Sequence, residues 1–261
     1  MKLQSRILSV LIAVFMVLAV VGCAKETEST TPNVDRIKAA GELVMLTNAA
    51  FPPFEYLGPD GEVVGVDVDI AQAVADKLGV SLKVVDMDFD GIILAVQSGQ
   101  GDIGAAGITN NEERRESVDF SIDYVATSQL IIVQEGSGYK TADDLAGKQI
   151  GVQMGTTGDI YAEDIADAQI NRFKTGPDAG LALASGKIDA VVIDAMPAAQ
   201  IASANAGLVI LEEPLTDENY AIAIKKGNAD LKAVIDEVLQ GMLDDGTLQN
   251  IIDHHVEIGA Q

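Results

Sequence analysis

Two stretches of this chain follow one plan. Ser98-Gly99-Gln100-Gly101-Asp102 ends a helical segment and leads into an apolar strand that runs to Gly107. Ser185-Gly186-Lys187-Ile188-Asp189 ends another and leads into a strand that runs to Asp194. In both, the helix breaks at Ser-Gly, an Asp follows three residues on, and a buried strand delivers the chain to a polar loop. A chance likeness in a Gly-rich α/β chain would carry no meaning. A true repeat implies two lobes with equivalent strand C-termini, and open α/β sheets bind their ligands outside those ends. A cleft between two such edges would enclose a small ligand from both sides.

The segments around the repeat alternate between strand and helix. Residues 43–46 predict a strand, and Ile70, Ala73, Val74 and Leu78 fall at helical spacing up to a stop at Gly79. A strand is expected at 82–85, then a helix capped by Asp90 and carrying Ile93 and Val96, then a strand of small residues at 103–106. The pattern restarts with strands at 129–133, 150–152 and 190–193, a capping box at Thr141-Ala142-Asp143-Asp144, and helix at 181–184. Leu231, Val234, Ile235, Val238, Leu239, Met242 and Leu243 make one long apolar stripe that Gly246 ends. Such βαβα order implies a largely parallel sheet covered by helices.

The N-terminus points to export. Lys2 and Arg6 precede a run, 7–21, that is apolar except for Ser9. It is short for a membrane span but suits a signal-peptide core. The run ends in Val20-Val21-Gly22-Cys23, which resembles the lipobox of bacterial lipoproteins, where the cysteine carries the lipid. Cys23 is the only cysteine, so no intrachain disulfide forms. The polar segment that follows reads as a tether. The formal net charge of −23 argues against nucleic acid and against anionic lipid heads, whose phosphates need Lys and Arg.

Five loops carry candidate chemistry. In the segment 106–117, Gly107 permits close backbone approach, Thr109 offers a hydroxyl, and Arg114 offers a planar fork matched to a carboxylate. The same segment also reads as an exposed turn with Arg114 paired to Glu112 or Glu113. Asp194 ends a strand before a helix with Pro197 in its first turn, so it reads either as an N-cap or as a carboxylate facing a cleft and pairing with an ammonium. Phe51 and Phe89 follow strands at turns, as a stacking wall or as core. The Gly-rich segment 151–158, with Gln153 and Thr157, lacks both the Gly-Lys-Ser/Thr ending of a phosphate loop and the dinucleotide glycine spacing, yet its helix N-terminus suits a carboxylate. His254 and His255 are expected in a solvated tail. No metal site, cofactor motif or catalytic triad is credible.

Taken together, these segments resemble the bacterial extracellular solute-binding proteins of family 3, the polar amino-acid binders of ABC transporters. The resemblance covers the whole mature chain. Gly65-Val66-Asp67-Val68-Asp69-Ile70 is its strongest motif, with Val66 where an aromatic or larger aliphatic residue is usual. Ala50-Phe51-Pro52-Pro53-Phe54-Glu55, Ala106-Gly107-Ile108-Thr109, Glu113-Arg114 and Val118-Asp119-Phe120-Ser121 match in order. The resemblance implies a two-lobed periplasmic-binding-protein fold of type II, with crossings near 124–128 and 219–223. Lobe 1 would comprise 34–126 and 221–261, lobe 2 would comprise 127–220, and 1–22 and 23–33 would be signal and lipidated linker.

It further implies that Arg114 binds an α-carboxylate with Thr109 and the Thr157 backbone, and that Asp194 binds the α-ammonium with Gly107. Phe51 and Phe89 would sandwich the side chain, with Asn48 and Gln153 near its tip. The family often has Asp at the first of these positions, and its glutamine binders have Lys at the second. Two amides here suggest a neutral polar side chain. The implied partner is a membrane permease, and nothing demands more than a monomer. A dehydratase-like enzyme and a sensory module on the same fold are the alternatives.

Overall fold

The computed structural model describes residues 33–259. The expected signal peptide, Cys23 and most of the linker lie outside the described residues. Asn33, expected to end the linker, instead opens helix α1 (Asn33–Ala40).

Two five-stranded sheets form the body. The first runs β5-β1-β6-β15-β7, from β1 (Glu42–Thr47), β5 (Ser81–Asp86), β6 (Ile103–Gly104), β7 (Val118–Phe120) and β15 (Ala223–Lys225). The second runs β11-β10-β12-β9-β13, from β9 (Gln129–Gln134), β10 (Gln149–Gln153), β11 (Gln169–Phe173), β12 (Ala190–Asp194) and β13 (Leu208–Ile210). In each, three parallel strands are followed by one antiparallel strand, and that strand comes from the far side of a crossing: β15 joins β6, and β9 joins β12. The crossings themselves pair as an antiparallel ribbon, β8 (Val125–Thr127) with β14 (Glu218–Tyr220). A small sheet, β2 (Ala50–Phe51), β3 (Glu55–Leu57) and β4 (Val63–Val64), caps the first lobe.

The helices follow from apolar spacing and glycine stops. On α2 (Val66–Leu78), Val66, Ile70, Val74 and Leu78 are buried, and left-handed Gly79 ends it. The long stripe forms α8 (Ala229–Asp245), which packs on α1 and α2 and stops at left-handed Gly246. The remaining helices are α3 (Ile92–Ser98), α4 (Glu112–Ser117), α5 (Thr157–Ala162), α6 (Gly176–Ala184), α7 (Ala195–Ala204) and α9 (Thr247–Gly259).

The structure corrects several expectations. The strand at 103–106 pairs only through Ile103 and Gly104, because the chain then bends toward the Gly107 turn. Asp90 caps nothing: it lies in a 3₁₀ turn, Phe89–Gly91, and Gly91 holds the cap position of α3. The Thr141–Asp144 capping box is present but closes a 3₁₀ turn. Of the C-terminal histidines, expected in a solvated tail, His254 is exposed on α9 but His255 is not. His255 is 5% exposed on α9, with Tyr56 Oη at 2.9 Å from Nδ1 and Asp69 Oδ2 at 3.0 Å from Nε2. An imidazole with both nitrogens partnered docks α9 onto α2 and β3.

Candidate ligand-binding site

The wall of the first lobe is organised by Asp67, the first aspartate of its motif. Its Oδ2 accepts Gly107 N–H at 2.9 Å and its Oδ1 accepts the Tyr124 hydroxyl at 2.6 Å. Gly107 sits at φ +54°, and a Cβ there would lie 2.7 Å from Phe51 Cε1. Only glycine lets the turn press against that ring. Two residues on, Thr109 bridges to Tyr220 of the ribbon.

Arg114 lies in α4, whose Asn111 cap accepts the Arg114 N–H at 2.9 Å. Its guanidinium donates to Thr109 O and to Gly155 O, both at 3.0 Å, and lies over the Phe89 ring. It is 9% exposed and, among the described residues, forms no ion pair with Glu112 or Glu113. The exposed-turn alternative therefore fails: Arg114 faces inward. Burial lowers its pKa, opposed by Asp194 and then Glu218.

The second lobe supplies the opposite charge. Asp194 holds the N-cap position of α7, yet its carboxylate makes no cap bond. It accepts the Tyr220 hydroxyl at 2.5 Å instead. Burial pushes its pKa up to about 6, against the hydrogen bonds from Tyr220 and Gln129. Asp67 is likewise raised by burial to about 6, and Glu55 beside it stands well above the carboxylate range through burial and then the Asp67 charge. Gly155, at φ +78°, comes so near lobe 1 that a Cβ would lie 2.8 Å from Asp90 Cβ.

Phe51, Phe89, Gly107, Thr109, Arg114, Thr156, Thr157 and Asp194 line one cavity of about 10 Å³ between the lobes, the space of about one water molecule. Asn48 and Gln153 are not in that lining. They meet each other across the lobes, Gln153 Nε2 donating to Asn48 Oδ1 at 2.9 Å, while Asn48 Nδ2 donates to Met87 O. Sequence reasoning missed Glu218, Gln129 and Tyr220. Glu218 Oε2 accepts from Thr109 Oγ1 and Thr157 Oγ1, both at 2.9 Å, and from Gln129 Nε2 at 3.3 Å. A wider groove of about 320 Å³, lined by Val125, Met196, Met242 and Ile252 among others, carries no charged side chain. The facing guanidinium and carboxylate, Arg114 and Asp194, are in the narrow cleft.

Two α/β lobes on a paired-strand ribbon, with a buried guanidinium on one wall and a buried carboxylate on the other, define a two-lobed solute-binding protein. The chain belongs to the bacterial extracellular solute-binding proteins, family 3, whose profile matches residues 43–258. It is 29% identical over 253 residues, 95% of each chain, to the L-cystine-binding protein TcyJ of Escherichia coli. Among solved structures it resembles the arginine-bound form of a truncated ArgBP from T. maritima, at 41% identity and a TM-score of 0.77 over 80% of this chain and 99% of that one. It also resembles the amino acid ABC transporter substrate-binding protein AbpA of Streptococcus pneumoniae bound to L-arginine, at 31% identity and a TM-score of 0.84 over 87% and 99%.

Proposed function

We propose that this protein is the substrate-binding component of an ABC-type amino-acid importer and that L-arginine is its ligand. The observation that carries the reading is the pairing of opposite charges across one cavity: Arg114 from lobe 1 and Asp194 from lobe 2 both line it. A zwitterion between them has each charge met by a partner when closure removes water. An amino acid does not fit a cavity of about 10 Å³, so capture requires the lobes to part about the β8–β14 ribbon and close again.

The side chain is argued from the far end. Asn48 and Gln153 read from the sequence as partners for a neutral tip, but their amide carbonyls equally suit a guanidinium, whose five N–H donors need acceptors. Phe51 and Phe89 would flank its stem. The likeness to two arginine-bound structures tips the choice toward arginine. Delivery would be to a membrane permease, from the outer side of the membrane, with the protein held by lipid on Cys23.

Calorimetry against L-arginine, L-cystine and L-glutamine tests this. Arginine is expected to bind tightest, and at 100 times its dissociation constant to stabilise the fold by about 2.7 kcal/mol. Tighter binding of glutamine would restore the neutral-tip reading. No binding of any amino acid, with turnover of another solute, would favour an enzyme. Acyl labelling that survives Cys23→Ser would sink the anchor.

A further inference from the structure

We propose that Glu218 is a positioning residue that holds the cleft shut by fastening one hydroxyl from each lobe to the ribbon that joins them. Glu218 opens β14, opposite Thr127 of β8, so it belongs to the crossing and not to either wall. The ribbon is already bound to lobe 1 through the Thr109–Tyr220 bridge and through Asn110 N–H to Asn219 O at 3.0 Å. On one carboxylate oxygen, Thr109 of lobe 1 and Thr157 of lobe 2 converge, and Gln129 of lobe 2 adds a third donor.

The group is 7% exposed, and its other oxygen, Oε1, is buried with no partner among the described residues. Hydrogen bonds to a carboxylate in so dry a place are charge-assisted and strong. Lobe 2 cannot swing away while Thr157 donates to an oxygen fixed on the lobe 1 side. Each hydroxyl has one proton. While both point at Glu218, the cleft offers a solute carboxylate only the Arg114 guanidinium and backbone N–H groups. Glu218 thus sets both the ease of opening and the direction of the hydroxyls.

The inference rests on the solute-capture reading, but its first test uses no ligand. Small-angle scattering of the solute-free protein is expected to show a larger radius of gyration for Glu218→Ala than for the parent. Glu218→Gln keeps a carbonyl acceptor for both hydroxyls and is expected to recover much of the compactness. In stopped flow, arginine is expected to leave Glu218→Ala about tenfold faster, the loss of about one charge-assisted hydrogen bond, with a smaller change in association.

Scattering unchanged in Glu218→Ala would overturn the proposal whatever arginine does. Failure of every variant and the parent to bind an amino acid would overturn the function instead, and scattering would still decide the role of Glu218. Should Glu218→Ala not fold, Thr157→Ala removes only the lobe 2 hydroxyl and must open the protein in the same way. A Thr157→Ala protein as compact as the parent would equally refute the idea.

Discussion

Where α3 ends in the first lobe, Ser98 Oγ turns back to Ala95 O at 3.1 Å, Gln100 N–H reaches the same carbonyl at 2.9 Å, and Asp102 clamps Val44 of β1. Asp102 N–H donates to Val44 O, and Asp102 Oδ2 accepts Val44 N–H at 2.8 Å. Where α6 ends in the second lobe, Ser185 Oγ turns to Ala182 O at 3.0 Å, Lys187 N–H reaches the same carbonyl at 3.0 Å, and Asp189 clamps Gln149 of β10 by the same two bonds, Oδ2 at 2.9 Å. Past that point the lobes diverge. β6 stops at Gly104, and the chain loops through Gly107 and Thr109 to reach Arg114. β12 runs to Asp194 and passes straight into α7. One frame therefore presents donors on one side and an acceptor on the other. Packing of strand under helix demands the frame, whereas the loops beyond the strand ends are free to differ.

Removing the unlike part should cost most. Arg114→Ala is expected to weaken arginine binding by about 2–5 kcal/mol, because it strands a carboxylate in a dry cleft. Asp194→Asn should weaken it in the same range by stranding the ammonium. Calorimetry on both shows whether the two walls contribute comparably. Near-native affinity in Arg114→Ala would remove Arg114 from the site.

Removing the shared part should act on stability and act alike. Asp102→Ala and Asp189→Ala each leave a strand backbone N–H, of Val44 or of Gln149, without its carboxylate, at about 1–3 kcal/mol by urea denaturation. Asp102 also holds Arg36 and is the more buried of the two, so its cost should be the larger. A negligible loss in either lobe would show that the repeated pentapeptide is a likeness of sequence without a shared structural role.

The frame was legible in the sequence because its signals are local. Apolar spacing with Gly79, Gly99 and Gly246 as stops sets helices, and the Ser-Gly-x-x-Asp echo marks equivalent corners. The wall residues stood out at turns and in glycine-containing loops, but the residues alone left Arg114, Asp194 and the two phenylalanines open to a structural reading, and it was the family resemblance that singled them out. Glu218 was not. It belongs to an acidic run with Glu212, Glu213 and Asp217, and only the pleat of β14, with Glu218 and Tyr220 inward and Asn219 outward, singles it out. Three residues are too few for a period to show. The C-terminal helix was missed for another reason. Leu248, Ile252 and His255 are at helical spacing and buried, but an imidazole does not register as apolar until Tyr56 and Asp69 are seen around it.

Protons distinguish the lobes more finely. Asp67 in lobe 1 and Asp194 in lobe 2 both stand at about 6 when folded, against an unfolded value near 3.9. Between those values the native state holds more protons than the unfolded chain, so these two groups lower the stability of the solute-free protein as pH rises from about 4 to about 6. On the proposed pairing of Asp194 with the ligand ammonium, binding should run the other way for Asp194 alone, since an ammonium needs the ionised form. Affinity is expected to fall about tenfold per pH unit below about 6, with up to one proton released per ligand. Calorimetry in buffers of different ionisation heat should find this slope abolished in Asp194→Asn and kept in Asp67→Asn. A slope that survives in Asp194→Asn would place the titrating group elsewhere.

The smallest effect belongs to the one ion pair among the described residues that spans the lobes at the surface. Lys174 Nζ of lobe 2 lies 2.8 Å from Asp88 Oδ2 of lobe 1, with both side chains more than half exposed. Water and salt screen such a pair, and ordering two mobile side chains offsets the attraction. The buried contacts across the same gap, Asn48 with Gln153 and Arg114 with Gly155 O, lose no strength to ions in solution. Lys174→Ala should therefore speed arginine release slightly at low salt and not at all at physiological salt, whereas Gln153→Ala should speed it equally at both. Dissociation rates at two ionic strengths separate the cases. A salt-independent effect of Lys174→Ala would mean that the rim, and not the unlike walls beneath it, governs how firmly the lobes hold together.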